Sequence, residues 1–236
     1  MASFTGFPVA DWQGCIKNAL GMEGFINRTC AIMDRYDPRK RVGIIMDEWG
    51  TWHTVEPGTN PGFLYQQNTI RDAVVAGLTL NVFHRHADRV HMANIAQLVN
   101  VLQALILTDG ARMLKTPTYH VFEMYSVHQD ATYLPDFWVE EDGDLNVSAS
   151  RDAGGKIHVS LCNFHHARGS EISIRIRGDE KRTVTGRILT APEMDSHNTF
   201  DNPDAGAPRV FSDARLKADT LVVKLPARSV AVLELS

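Results

Sequence analysis

Apolar residues over the first 129 positions fall into alternating helical and extended spacings. Trp12, Ile16 and Leu20 recur at helical intervals, Gly21 and Gly24 are expected to interrupt that helix, and Phe25, Ile26, Cys30 and Met33 resume it. Tyr36-Asp37-Pro38 reads as a stop, because proline lacks a donor and restricts the residue before it. The run VGIIMDEW predicts a strand with Val42, Ile44, Met46 and Glu48 on one face and Ile45 and Asp47 on the other. Residues 66–76 read as a helix, and Leu78–Phe83 as a second strand breaking into the polar run HRHADR. Ile95, Leu98, Val99, Leu102, Leu105 and Ile106 trace the apolar face of a further helix. Strand, helix, strand, helix predicts an α/β layer with crossover connections. Both strands end in polar residues, where α/β and barrel enzymes keep their chemistry.

After Pro135 the pattern changes. The turn signals EEDGD, RDAGG and RGDE separate short alternating runs: Ile157-Val159-Leu161, Ile172-Ile174-Ile176, Val184–Ile188, Leu221-Val223-Leu225 and Val230–Leu235. Such spacing predicts an antiparallel β-sandwich. Ala191–Arg209, rich in Asn, Asp and Pro, reads as a long loop, and the boundary between the two patterns falls between Gln129 and Asn146. The chain is therefore divided into residues 1–129 and 130–236.

Composition narrows the function classes. A net charge of -4 with no Lys/Arg-rich face offers no electrostatic footprint for nucleic acid. No apolar run is long enough for a membrane span, and Met1–Pro8 lacks the basic and apolar regions of a signal peptide. Cys15, Cys30 and Cys162 are odd in number and widely spaced, so reduced thiols in a cytoplasmic protein are expected rather than a disulfide framework.

The candidate chemistry centres on Asp47-Glu48-Trp49. If the face holding Glu48 lines a barrel, a carboxylate points inward among apolar groups, which is costly unless it has partners or a purpose. A glutamate at a strand mouth beside aromatics suits nucleophilic attack on a sugar carbon, although a surface acid at a strand end is the plainer reading. Trp49 and Trp52 offer flat faces for sugar C–H groups or ordinary packing, and Asp47 reads as structural. His84, His86 and His91 invite a metal reading, but no carboxylate arrangement supports it, and neither metal nor cofactor is expected. His165-His166 is placed in a solvent-facing turn. No Walker A, Rossmann glycine pattern or HExxH occurs. Asn94, Gln97 and Asn100 lie on one predicted helix, where amides cap, pack or bind hydroxyls.

Four stretches together carry a resemblance: KRVGIIMDEWGTWH at 40–53, VHMANIAQLVNVLQALILT at 90–108, TPTYHVFEMYSVHQ at 116–129 and LPARSVAVLEL at 225–235. Across essentially its whole length the chain resembles the C-terminal half of the family 51 α-L-arabinofuranosidases. The resemblance implies strands 7 and 8 of a (β/α)8 TIM barrel followed by a jelly-roll-like β-sandwich. It implies a retaining exo-hydrolase that releases terminal arabinofuranosyl units from arabinan, arabinoxylan and related oligosaccharides, without a metal, often as a homo-oligomer such as a hexamer. Glu48 matches the family nucleophile, Trp52 an aromatic beside the sugar, and Gln97 a glutamine that hydrogen-bonds sugar or nucleophile.

One departure is large. A retaining enzyme needs a second carboxylic acid roughly 5 Å from the nucleophile. The family carries it in an Asn-Glu pair, and this chain has no Asn-Glu dipeptide. Glu23, Glu56 and Glu123 are poor substitutes by position. The acid/base is expected on a preceding barrel half, without which the two barrel strands would have open edges and the polypeptide would be unstable and inactive. Two other readings stand beside this one: a glucanase or xylosidase on the same scaffold, and a non-catalytic carbohydrate-binding or assembly module.

Overall fold

A computed structural model describes residues 5–135, 143–176 and 182–236. The first element is the helix α1 (Val9–Tyr36), which buries Trp12, Ile16, Ala19 and Ile26. Gly21 and Gly24 do not interrupt it. It ends before Pro38, as expected, with the Asp37 N–H donating to the Met33 carbonyl. The strand β1 (Ile44–Trp49) follows, then α2 (Ile70–Arg85) and β2 (Val90–Ile95), which pairs with β1 in parallel.

Two sequence-based expectations fail in this region. Leu78–Phe83 is helical, belonging to α2, and the second strand is Val90–Ile95. The cause is burial on nearly every side: thirteen of the sixteen α2 residues are buried, so the apolar run carries no helical stripe and mimics a buried strand. A capping box in which Thr69 and Asp72 serve each other's backbone N–H fixes the start of α2. The helix expected through Ile95–Ile106 is also absent. Asn100 and Leu102 adopt positive φ, and the chain turns into a hairpin of β3 (Ile106–Asp109) and β4 (Arg112–Lys115). Its apolar residues serve a separate small core, in which Leu102's neighbour Ala104 packs with Leu107 and Leu114 against Tyr65 and Phe200.

The helix α3 (Pro117–Tyr125) starts with Thr116 accepting from the Tyr119 N–H and Pro117 in the first turn. Then come β5 (Thr132–Tyr133), β6 (Leu145–Arg151), β7 (Ile157–Asn163), β8 (Ser170–Arg175), β9 (Val184–Thr190), β10 (Arg209–Val210), β11 (Ala214–Lys217), β12 (Thr220–Leu225) and β13 (Ser229–Leu235). Among the described residues these form a six-stranded sheet, β10-β9-β13-β7-β6-β5, and a three-stranded sheet, β11-β12-β8. Every pairing in both is antiparallel, so this part resembles a β-sandwich as expected. RDAGG forms the β6–β7 turn, whereas RGDE and most of EEDGD, together with part of the Gln129–Asn146 boundary stretch, lie outside the described residues. Ala191 to Pro208 is a loop, as expected.

Three layers result. Ile157, Val159, Leu161, Leu233 and Leu235 face the small sheet's Ile172, Ile174, Leu221 and Val223. From the other face of the large sheet, Cys162, Val230 and Val232 enter the core built by α1, α2 and α3. Gly77 permits the close approach of α2: a Cβ there would sit 2.9 Å from the Cys162 sulfur and 3.0 Å from a Val230 methyl. The fold is thus mixed α/β, and no barrel closes among the described residues, where β1 and β2 pair only with each other. No described helix is long and apolar enough to cross a membrane.

Candidate active site

The expected alternation along β1 holds only in part. Ile44 and Met46 pack against the helix core, but the pairing with β2 is irregular between Met46 and Trp49. That irregularity lets Trp49, rather than Glu48, join the core side. Glu48 therefore does not share the packed face of Ile44 and Met46; it is exposed, as are Asp47 and Val42. The uncovered side of the pair presents Ile45, 55% exposed, and Met92, 53% exposed, which are register partners. Trp49 sits edge-on to Phe83 at 5.3 Å and stacked on Phe122 at 6.0 Å, so its role here is packing.

Because β1 and β2 run parallel, their C-terminal ends lie at one end of the pair, joined by the Ala96 N–H donating to the Trp49 carbonyl at 3.1 Å. This brings Glu48, the loop carrying Trp52 and the turn carrying Gln97 to the same edge. Gln97 is in that turn and not on a helix, and Asn94 is in β2. The Asn100 side chain serves the hairpin instead, accepting from the Thr108 N–H at 2.8 Å. Trp52 is 53% exposed and lines a cleft of about 400 Å³ between its loop and α1.

Beneath the exposed edge lies a buried polar network that sequence reasoning did not find. Gly50 turns at φ 124°, a conformation that favours glycine. The Thr51 N–H then donates to Gln103 Oε1 at 2.8 Å, and the Thr51 hydroxyl lies 2.7 Å from both Gln103 Oε1 and Asp72 Oδ1, its one proton bifurcated between them. His53 Nε2 lies 2.8 Å from Asp72 Oδ1, and the His53 N–H donates to Gln66 Oε1 at 2.7 Å. Gln66 Nε2 donates back to the Thr51 carbonyl at 3.2 Å. Asp72 Oδ2 accepts from the Thr69 N–H at 2.7 Å. Arg71 is fully buried, with its guanidinium 3.7 Å above the Phe7 ring. Burial pushes the Asp72 carboxyl up, but the His53 and Arg71 charges and hydrogen bonds from His53 and Thr51 outweigh it and hold the group well below the usual carboxylate range. The one legible signal was Thr69-Ile70-Arg71-Asp72, a helix-start spacing.

The remaining candidates are dispersed. Glu23 pairs with Arg85 and His86, and Glu123 with His120 and Arg187. His84 stacks on Tyr125 and lies 4.5 Å from the His128 ring, while His86 faces Glu23 and His91 is the second residue of β2. No group of three potential metal ligands occurs among the described residues. His165 and His166 stack at 4.6 Å and are half-buried rather than fully solvent-facing. Cys15, Cys30 and Cys162 are free thiols.

A parallel strand pair with an acid–aromatic edge, backed by helices, is docked on an antiparallel sandwich, an architecture that does not by itself fix a function. Residues 47–229 match the α-L-arabinofuranosidase C-terminal domain family. The chain is 44% identical to an intracellular exo-α-L-arabinofuranosidase of Bacteroides ovatus, a match covering 99% of this chain and 47% of that protein. It is 46% identical to the crystal structure of the family 51 arabinofuranosidase from Xanthomonas axonopodis pv. citri, with a TM-score of 0.94 over 100% of this chain and 49% of that one. A family 51 α-L-arabinofuranosidase from Bifidobacterium longum shares the fold at a TM-score of 0.79 and 21% identity, covering 97% of this chain and 50% of that one. The chain belongs to glycoside hydrolase family 51, and it spans about half the length of these relatives.

Proposed function

We propose that the protein is a retaining, exo-acting α-L-arabinofuranosidase and that this chain supplies its nucleophile, Glu48. The observation carrying the reading is the convergence of Glu48, Trp52 and Gln97 at one end of a parallel strand pair, in a chain that belongs to family 51. The Glu48 carboxylate attacks the anomeric carbon of a terminal arabinofuranosyl unit. A second carboxylic acid, contributed from outside these 236 residues, protonates the leaving oxygen and then activates the water that hydrolyses the glycosyl ester. Trp52 stacks on the sugar's C–H face, and Gln97 hydrogen-bonds a hydroxyl or the nucleophile.

Residues 1–129 form the last two strands of a (β/α)8 barrel in this reading, and 130–236 the sandwich. The exposed Ile45 and Met92 side of the pair is the face that the other barrel strands cover. The 236 residues alone then lack an acid/base and do not turn over. The substrates are arabinan- and arabinoxylan-type oligosaccharides, and the location is cytoplasmic, in line with the intracellular Bacteroides relative.

The test is Glu48→Gln in the full-length protein, assayed on arabinan oligosaccharides and on β-glucan. Loss of arabinose release by more than about a thousandfold is expected, with the first product of the parent enzyme retaining its configuration. Retention of most activity would remove Glu48 from its role, and glucose or xylose products would assign the scaffold to a different glycan.

A further inference from the structure

The fully buried side chain of Gln103 touches both halves of the candidate site's exposed edge. Its Oε1 accepts from the Thr51 N–H at 2.8 Å and meets the Thr51 hydroxyl at 2.7 Å, while its Nε2 donates to Thr118 Oγ1 at 2.7 Å. Its own N–H donates to the Ala96 carbonyl at 2.8 Å, the peptide immediately before Gln97, and the Gln97 N–H donates to the Val101 carbonyl at 3.2 Å. Its Cβ would lie 3.1 Å from a Cβ placed on Gly50, so the amide fills the space left by that turn. One residue thus holds the chain two positions after Trp49 and the chain one position before Gln97. Neither grip involves solvent, since Gln103, Thr51 and Thr118 are all buried.

We propose that Gln103 is the positioning residue that sets Glu48 and Trp52 in register with Gln97, an inference that rests on the arabinofuranosidase reading. The physical argument concerns alternatives. A backbone turn between two exposed side chains has many conformations, and a loop anchored only by its ends samples them. Gln103 removes that freedom by giving the Thr51 N–H an acceptor that water does not reach. An apolar side chain of the same volume would leave that N–H unpaired in the interior, and the loop would relax to satisfy it. The same relaxation would release Trp52 and tilt the end of β1. Gln103 touches no substrate in this scheme; it acts through Thr51 and Ala96.

The experiment compares Gln103→Met and Thr51→Val with the parent, all in the full-length protein. Two readouts are taken: kcat and KM on an aryl α-L-arabinofuranoside, and hydrogen exchange of the amides between Gly50 and Thr54. Gln103→Met is expected to lower kcat about 10- to 100-fold, with a smaller change in KM, and to speed exchange in that segment. Thr51→Val keeps the N–H bond to Gln103 and loses only the hydroxyl contacts, so its kcat is expected to fall less. If Gln103→Met fails to fold, Gln103→Asn decides the matter: one methylene shorter, it withdraws the acceptor from the Thr51 N–H, and parental exchange with parental kcat in that variant would overturn the proposal. A Gln103→Met enzyme with parental kcat, or with slower turnover but unaltered exchange, would overturn it as well. If the parent enzyme itself does not cleave the arabinofuranoside, the functional reading fails, while the exchange measurement still decides whether Gln103 holds the loop.

Discussion

The two regions of this molecule solve the same burial problem with different completeness. In the sandwich, β7 is buried along its whole length, with Ile157, Val159 and Leu161 facing the small sheet and His158, Ser160 and Cys162 facing the other way. Its neighbours β6 and β13 satisfy its backbone on both edges. The parallel pair β1-β2 is covered on one side only, by the helix core, and leaves Ile45 and Met92 exposed. Among the described residues the strand pair keeps a bare apolar face, whereas the large sheet of the sandwich is covered on both faces, by the small sheet and by the helix core. On the proposed reading the difference separates two roles: the sandwich supplies stability, and the strand pair supplies a surface on which further barrel strands complete a site.

The largest expected effect tests whether the buried network belongs to the stable part of that division. Asp72→Ala leaves Arg71 and His53 in the interior without their carboxylate. Breaking a buried charge pair from one side typically costs about 3–5 kcal/mol, so denaturant unfolding should shift by that order. A shift below about 1 kcal/mol would mean that the network is solvated and that the Trp52 loop is not anchored from beneath. Next in size is Leu161→Ala in the sandwich, where a fully buried side chain meets the second sheet. A loss of about 2–5 kcal/mol is expected, measured the same way.

How much of this was readable in advance follows the same division. Ile172-Ile174 and Leu221-Val223-Leu225 announce strands because their intervening residues are exposed or half-buried, so the two-residue period survives. In α2 the period disappears, since Arg71, Asp72, Thr79 and Asn81 are buried alongside the apolar residues. The sequence then cannot distinguish helix from strand by period alone. Gln103 was hidden for a related reason. Within VLQAL it reads as the polar side of a helix, whereas it faces the interior of a turn, held by partners 52 and 15 positions away. Glu48 and Trp52 stood out as an acid beside aromatics at a strand end, and the family resemblance added a proposed role for each and for Gln97; local spacing placed Gln97 on a helix that does not exist.

An effect spread over several pH units probes the seam between the regions. His84 of α2 contacts Ser148 of β6, and His128 lies between Ser150 and Ser160, with His158 paired to Asp152 beyond it. Burial pushes His84 down to about 4, helped by Arg85, and His128 down to about 3, helped by His84 and His158. Both are neutral in the folded protein near neutrality. Their contribution is fully present above the unfolded value near 6.5 and is lost as pH falls from there toward 4 and then 3, because the unfolded chain binds the protons first. Each unit of depression is worth about 1.4 kcal/mol. The apparent melting temperature should therefore drop between pH 6.5 and pH 4, and replacing both histidines by glutamine should flatten that drop. An unchanged profile in the double variant would locate the acid sensitivity elsewhere.

The smallest expected effect is the most direct test of the comparison itself. Ile45→Ser removes an exposed methyl-rich side chain from the bare face of β1. In the 236-residue chain the substitution should change stability by less than about 0.5 kcal/mol, because little surface is withdrawn from water there, and it should raise solubility by shrinking an apolar patch. On the proposed reading, in which further barrel strands cover that face in the full-length protein, the same change there should cost about 2–4 kcal/mol, as burying a hydroxyl in place of an aliphatic group does. The ratio of the two values measures how much of the face is covered, independent of any assay of activity. Equal small costs in both contexts would mean that nothing packs on Ile45, and the strand pair would have to be an exposed surface in its own right. Equal large costs would mean that the 236-residue chain already covers Ile45, by self-association, and the contrast between a closed sandwich and an open strand pair would disappear.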